Sequence, residues 1–135
     1  MDLSPLFIYL GITICLIITL LGFRSFKVLI GEKKSNEFPS WEKHETGFYW
    51  RLNRAQINCL DNLPIFASLV ISGFLLNIQD SNFINFAWLV IVGRSLQIIS
   101  HLLGETVWHV NVRFTGYVIQ VISFVGMLYN LLRLV

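Results

Sequence analysis

Three stretches of the sequence carry polar side chains three or four residues apart within apolar surroundings. A helical residue turns its side chain by about 100° relative to the one before, so each set forms one stripe on a helix. Four arginines against two carboxylates leave the stripes with an excess of positive charge, which favours a polar cavity for an anionic ligand. The three stripes are Arg51, Arg54, Asn58 and Asp61; Arg94, Gln97, His101 and Glu105; and Arg113, Tyr117 and Gln120.

A second interpretation of the stripes is purely structural. An arginine near the centre of a bilayer costs about 2.5–3.5 kcal/mol even on lenient insertion scales, so it must face the protein interior or a wet cavity. Arg54 with Asp61, and Arg94 with Glu105, would then be buried ion pairs that tie the helices together. Spacing alone leaves both interpretations open.

The elements that position these residues are predicted to be membrane helices. Of 135 residues, 55% are hydrophobic and 13% charged, against about 25% charged in soluble domains. A helix needs roughly 20 apolar residues to cross the hydrocarbon core. We therefore expect an all-α integral membrane protein, a four-helix transmembrane bundle in a single domain over 1–135, with approximate spans 3–30, 48–78, 83–104 and 112–133.

The basic residues predict the orientation of the bundle, because cytoplasmic connections carry an excess of Lys and Arg. The turn between the second and third spans contains only Asp80 as a charged residue. The long connection 31–47 should therefore be cytoplasmic, with both termini on the opposite side, most simply in a bacterial inner membrane and surrounded by membrane lipids. The basic residues near the long connection are Arg24, Lys27, Lys33, Lys34, Lys43, Arg51 and Arg54.

Other kinds of site have little support in the sequence. His44 and His109 belong to no recognisable metal-binding pattern, so no metal is expected. Cys15 and Cys59 fall on different predicted helices and predict no disulfide framework. There is no glycine-rich phosphate loop and no nucleic-acid footprint, so no nucleic-acid partner is expected.

The second predicted helix resembles a known family. The run from Arg54 to Phe66, RAQINCLDNLPIF, is similar to the pattern R-A-x-x-N-x-x-E-x-x-P-x-F of the MAPEG family, the membrane-associated proteins of eicosanoid and glutathione metabolism. Arg94 with its stripe resembles the family's A-R-x-x-H/Y-x-x-x-Y stretch, and Arg113 with its stripe resembles the start of the family's last helix. The resemblance covers the length of the chain, its four spans and all three stripes.

The resemblance implies a homotrimer with glutathione as co-substrate, bound between neighbouring subunits. By position, Arg54, Asn58 and Asp61 would hold the tripeptide. Arg51, Arg94, Gln97 and His101 would line the same cavity. Arg113 would stabilise the glutathione thiolate with Tyr117 one turn on, as the catalytic residues. Arg24 or Lys27 would face the acceptor substrate.

The implied activity is that of a membrane-bound glutathione-dependent transferase or peroxidase acting on lipophilic electrophiles. Asp61 stands where the family usually has Glu, Gln97 where it often has His, and His101 where it often has Tyr. These departures keep a second function open, a non-catalytic glutathione- or lipid-binding membrane protein of the same fold. The sequence leaves the lipophilic substrate open, together with the choice between conjugation, peroxide reduction and isomerisation.

Overall fold

The computed structural model describes residues 2–39 and 47–133 and consists of four helices. They are α1 (Ser4–Leu29), α2 (Gly47–Leu75), α3 (Ser81–Leu103) and α4 (Val107–Leu132). Each helix is long and apolar enough to cross a membrane, and the described ranges contain no strand. The predicted all-α four-helix transmembrane fold is confirmed. The segment 40–46 of the long connection, with His44 and Lys43, lies outside the described residues.

The helix ends differ from the predicted spans at two connections. Helix α2 ends at Leu75 rather than at 78, and α4 begins at Val107 rather than at 112, so the connection between α3 and α4 is shorter than expected. Helix α3 begins at Ser81 because Asp80 caps it. One Asp80 carboxylate oxygen accepts from the backbone N–H of Asn82 at 2.6 Å and of Phe83 at 3.3 Å, satisfying donors that the first turn leaves without partners.

Helices α3 and α4 pack most closely in the bundle, and α2 contacts all three other helices. The close approach depends on two glycines that face each other. A Cβ atom built on Gly93 would lie 2.7 Å from the Gly116 carbonyl oxygen, and one built on Gly116 would lie 2.6 Å from the Gly93 carbonyl oxygen. Small residues let helix backbones approach in this way in membrane bundles. The outer surface carries large exposed apolar side chains, among them Phe7, Ile18 and Phe114, as expected where helices meet lipid.

Pro64 lies inside α2 without ending it. Proline lacks the N–H that would bond the carbonyl four residues earlier, here that of Leu60. The fully buried hydroxyl of Tyr9 donates to the neighbouring carbonyl of Cys59 at 3.0 Å, and thereby fastens α1 to α2 just before the proline.

The glycine contact between α3 and α4 makes a prediction about stability. Gly116→Ala should lower the free energy of unfolding by about 1–3 kcal/mol, as overpacking usually does, because its Cβ meets backbone atoms that cannot rotate away. Gly11→Ala is the matched control, since a Cβ there meets nothing within 4 Å. Thermal unfolding in detergent measures both variants. Equal melting temperatures for the two would mean that the contact contributes nothing.

Candidate functional site

A polar recess opens where the C-terminal end of α3 meets α2 and the start of α4. Its volume is about 300 Å³, at the lower end of the range for small-molecule sites. Among the described residues that line it, three arginines accompany one carboxylate, so this lining carries net positive charge. We call it the arginine recess; its lining residues are Trp50, Arg51, Arg54, His101, Glu105, Val110 and Arg113.

Backbone carbonyls at the end of α3 hold two of these arginines. The last carbonyls of a helix have no intrahelical donor and carry partial negative charge. Arg51 Nε donates to the Leu102 carbonyl at 3.2 Å, and Arg113 Nη2 donates to the Gly104 carbonyl at 2.7 Å. Arg113 Nε also donates to the His109 carbonyl at 3.3 Å. Backbone carbonyls thereby hold both cations, and neither has a carboxylate partner within 2–39 and 47–133.

His101 connects the helices at the base of the recess. Its Nε2 lies 3.1 Å from Asn58 Nδ2 on α2, and its Nδ1 lies 3.3 Å from Arg113 Nη1 on α4. The side chain of His101 is buried. Three residues from three different predicted stripes therefore meet at one point.

Arg54 and Asp61 lie on the same outward face of α2, and both are exposed. The Arg54 guanidinium lies 5.9 Å from the centre of the Trp50 ring. Arg54 and Asp61 do not form the ion pair that the structural interpretation required; among the described residues, an ion pair joins Lys27 and Glu32.

Arg94 belongs to a separate cluster, deep in the bundle. It is 0% exposed, and its Nη1 donates to Gln97 Oε1 at 2.8 Å. Gln120 Nε2 donates to the same oxygen at 3.2 Å. The Arg94 guanidinium also lies 5.3 Å from the centre of the Tyr9 ring. Arg94 therefore bonds to an amide rather than to Glu105, and its Nε and Nη2 atoms are buried without a hydrogen-bond partner.

A sequence profile of the MAPEG family matches residues 3–133. The chain belongs to the MAPEG family. No curated protein and no solved structure matches the sequence. Membership accounts for the membrane-spanning helices, and it associates the chain with glutathione and eicosanoid chemistry at the level of the family.

The structure of this MAPEG chain divides the predicted site residues into groups. Arg51, His101 and Arg113 line the arginine recess, with Asn58 bonded beneath them. Arg54 lines the recess and also faces outward. The remaining residues lie elsewhere: Asp61 on the outer face of α2, Arg94 and Gln97 in the bundle core, and Tyr117 one turn beyond Arg113, where its side chain is 45% exposed.

Arg24 and Lys27 lie at the end of α1 and outside the arginine recess. Arg24 Nε donates to the buried hydroxyl of Tyr49 at 2.6 Å, and its guanidinium lies 5.7 Å from the centre of the Phe38 ring. Lys27 Nζ pairs with Glu32 at 2.6 Å. Arg24 also lines two surface recesses, of about 390 and 320 Å³.

Some residues that shape the site were not predicted to do so. Tyr9 and Tyr49 fill the spaces beside Arg94 and Arg24, and both are fully buried. Aromatic residues near helix ends are typical of a membrane interface. Their residue type alone therefore favours an interfacial position for these two tyrosines rather than a place beside a buried arginine. The described residues contain no group of three or more metal-ligating side chains.

The Arg94 cluster makes a testable prediction about buried charge. Arg94→Met should leave the melting temperature unchanged or raise it, because it removes a cation together with its unsatisfied donors. Gln97→Leu should lower the free energy of unfolding by about 1–3 kcal/mol, because it leaves the cation without its acceptor.

Thermal unfolding in detergent measures both variants and the double variant Arg94→Met with Gln97→Leu. The double variant should recover most of the loss caused by Gln97→Leu. If Gln97→Leu is instead as stable as the wild type, the hydrogen bond to Arg94 is not a significant support of the bundle.

Proposed function

We propose that this protein is a membrane-bound glutathione-dependent transferase or peroxidase that acts on lipophilic electrophiles. The observation that carries the proposal is the arginine recess, where the described lining brings Arg51, Arg54 and Arg113 together with one carboxylate, that of Glu105. Glutathione has two carboxylates and one ammonium group, so its net charge is negative. The planar guanidinium group grips a carboxylate through two parallel hydrogen bonds, which lysine cannot do.

Arg113 is the proposed activating residue. A thiol attacks as its thiolate, and a free thiol has a pKa of about 8.5, so a neighbouring cation increases the thiolate fraction at neutral pH. The contacts of Arg113 to protein acceptors use one hydrogen on each of its three nitrogens. Each Nη atom of a guanidinium carries two hydrogens, so one on each remains for the sulfur.

The chemical step follows from this placement. In conjugation, the thiolate sulfur forms a bond to an electrophilic carbon, and the bond from that carbon to its leaving atom breaks. In peroxide reduction, the sulfur attacks one peroxide oxygen, the O–O bond breaks, and the other oxygen takes up a proton and leaves as an alcohol. A second glutathione thiol then attacks the sulfenic acid, the hydroxyl leaves as water, and a disulfide remains. We propose Tyr117 as the group that donates a proton to the leaving oxygen, because its phenol lies one turn from Arg113 on the exposed side of α4.

The roles proposed for the other residues rest on their positions. Arg54 and Asn58 would bind the glutathione backbone, and Asp61 would bind its ammonium group. The expected contributions of Arg94 and Gln97 to glutathione binding stay predictions, and so does the role of Arg24 or Lys27 toward the acceptor. We also propose that the connection 31–47 faces the cytoplasm of a bacterial cell with both termini on the opposite side.

Glutathione titration of the purified protein in detergent tests the function, with the thiolate followed by its ultraviolet absorbance near neutral pH. Saturable thiolate formation is expected for the wild type. Arg113→Ala should abolish the thiolate signal while leaving glutathione affinity largely intact. Arg133→Ala is the matched control, because Arg133 ends the same helix and lies over Tyr129.

The outcomes separate the candidate functions. Glutathione binding without a thiolate signal would favour the non-catalytic binding protein. Absence of binding would overturn the proposed function. Turnover that survives Arg113→Ala would overturn the mechanism alone.

A homotrimer is the second part of the proposal, because one chain leaves the site incomplete. Arg54 and Asp61 are exposed on α2, where charged groups facing lipid would be costly. A neighbouring copy that covers this face would bring both residues into an interface. Native mass spectrometry from detergent should detect three chains, and Asp61→Arg should shift the population toward single chains. A wild-type protein that is monomeric while binding glutathione would contradict the trimer.

A further inference from the structure

His101 lies between two hydrogen-bond donors. Its Nδ1 faces Arg113 Nη1 at 3.3 Å, and its Nε2 faces the side-chain amide of Asn58 at 3.1 Å. Arginine can only donate, and a neutral imidazole has one acceptor nitrogen and one N–H. The nitrogen that faces Arg113 must therefore be the acceptor.

The position of the His101 proton determines the contact with Asn58 as well. With its lone pair on Nδ1, His101 carries its proton on Nε2 and donates toward Asn58. A half-turn of the Asn58 amide then places Oδ1 where Nδ2 lies, since the two ends of an amide are interchangeable by rotation. All three side chains have complementary partners in this arrangement, and in no other neutral one.

We infer that His101 is a positioning residue, which holds Arg113 through its Nδ1 lone pair as the neutral Nε2–H tautomer, and that protonation of His101 releases Arg113. The consequence for catalysis rests on the proposed function. The inference about the tautomer rests on the contacts alone.

The charged groups that surround His101 are mainly cations. Arg113 lies against it from α4, Arg54 lines the same recess from α2, and Arg94 lies two turns earlier on its own helix. Arg51 and the Glu105 carboxylate also line the recess, and His109 on α4 contacts Thr106 Oγ1 at 2.7 Å. A second proton on His101 would place an N–H against the Arg113 guanidinium and add a further cation to this group.

Release would leave Arg113 with only backbone acceptors. Its remaining partners are the Gly104 carbonyl, in the short connection before α4, and the His109 carbonyl, in the first turn of α4. We therefore expect glutathione thiolate formation to fall at acid pH more steeply than the ionisation of the thiol alone requires.

Nitrogen NMR of the protein labelled with ¹⁵N-histidine tests the tautomer directly. His101→Asn identifies the His101 signals by their loss, which separates them from those of His44 and His109. A pyridine-type Nδ1 and a protonated Nε2 at neutral pH are expected. A protonated Nδ1 would overturn the inference, whether or not glutathione binds.

Two substitutions test the positioning role. His101→Asn places an amide oxygen close to the position of Nδ1, so it should retain a larger thiolate signal than a variant without an acceptor, and it should remove the additional acid sensitivity. His101→Phe keeps a ring of similar size without an acceptor. It should lower the thiolate fraction about tenfold or more, the usual effect of losing a hydrogen bond to a charged group.

The comparison separates positioning from a merely structural role. A thiolate signal in His101→Phe equal to that of the wild type would overturn the inference, and so would a pH profile in His101→Asn that matches the wild type. Failure of the wild type to bind glutathione would remove the proposed function, while the NMR measurement would still decide the state of His101.

Discussion

Arginine side chains in helices that cross a bilayer must find acceptors inside the protein, and this constraint determines the arrangement of the polar groups. The chain meets it largely without carboxylates. Arg51 and Arg113 donate to carbonyls at the C-terminal end of α3, where the helix leaves acceptors unused and its dipole is negative. One helix end thereby holds two cations in a fixed position, with donors left over for a ligand.

The close packing of α3 and α4 makes this arrangement possible. Gly93 and Gly116 bring the two backbones together, and Ser100 Oγ donates across the pair to the His109 carbonyl at 2.6 Å. Arg113 then lies within reach of both Gly104 and His101. Apolar packing in the middle of the bundle thus fixes the geometry of a polar site at its end.

The sequence was sufficient for the four helices, because apolar length reports directly on them. Helical spacing placed Asn58, His101 and Arg113 on three separate stripes, and the shared cavity followed from the family resemblance rather than from spacing. The sequence did not distinguish Arg94 from His101, which share one stripe. A stripe specifies a direction around the helix, whereas burial depends on the height along it. Arg94 lies two turns below His101, and there Tyr9 and Gln120 close the bundle around it. Side chains on other helices determine that Arg94 lies in the core and His101 in the recess. The spacing of polar residues along α3 carries no information about those side chains.

The residue at position 101 also determines how the site responds to pH. A tyrosine hydroxyl accepts and donates at once, so tyrosine, which the family resemblance leads one to expect here, would join Asn58 to Arg113 at any pH below about 10. Imidazole makes the same two contacts only when neutral and only in one tautomer. Arg113 is held by the His101 side chain and by two backbone carbonyls. Of these three acceptors, only His101 can be protonated and so lose its contact with Arg113. Histidine at position 101 therefore adds a dependence on protons that a tyrosine would not have.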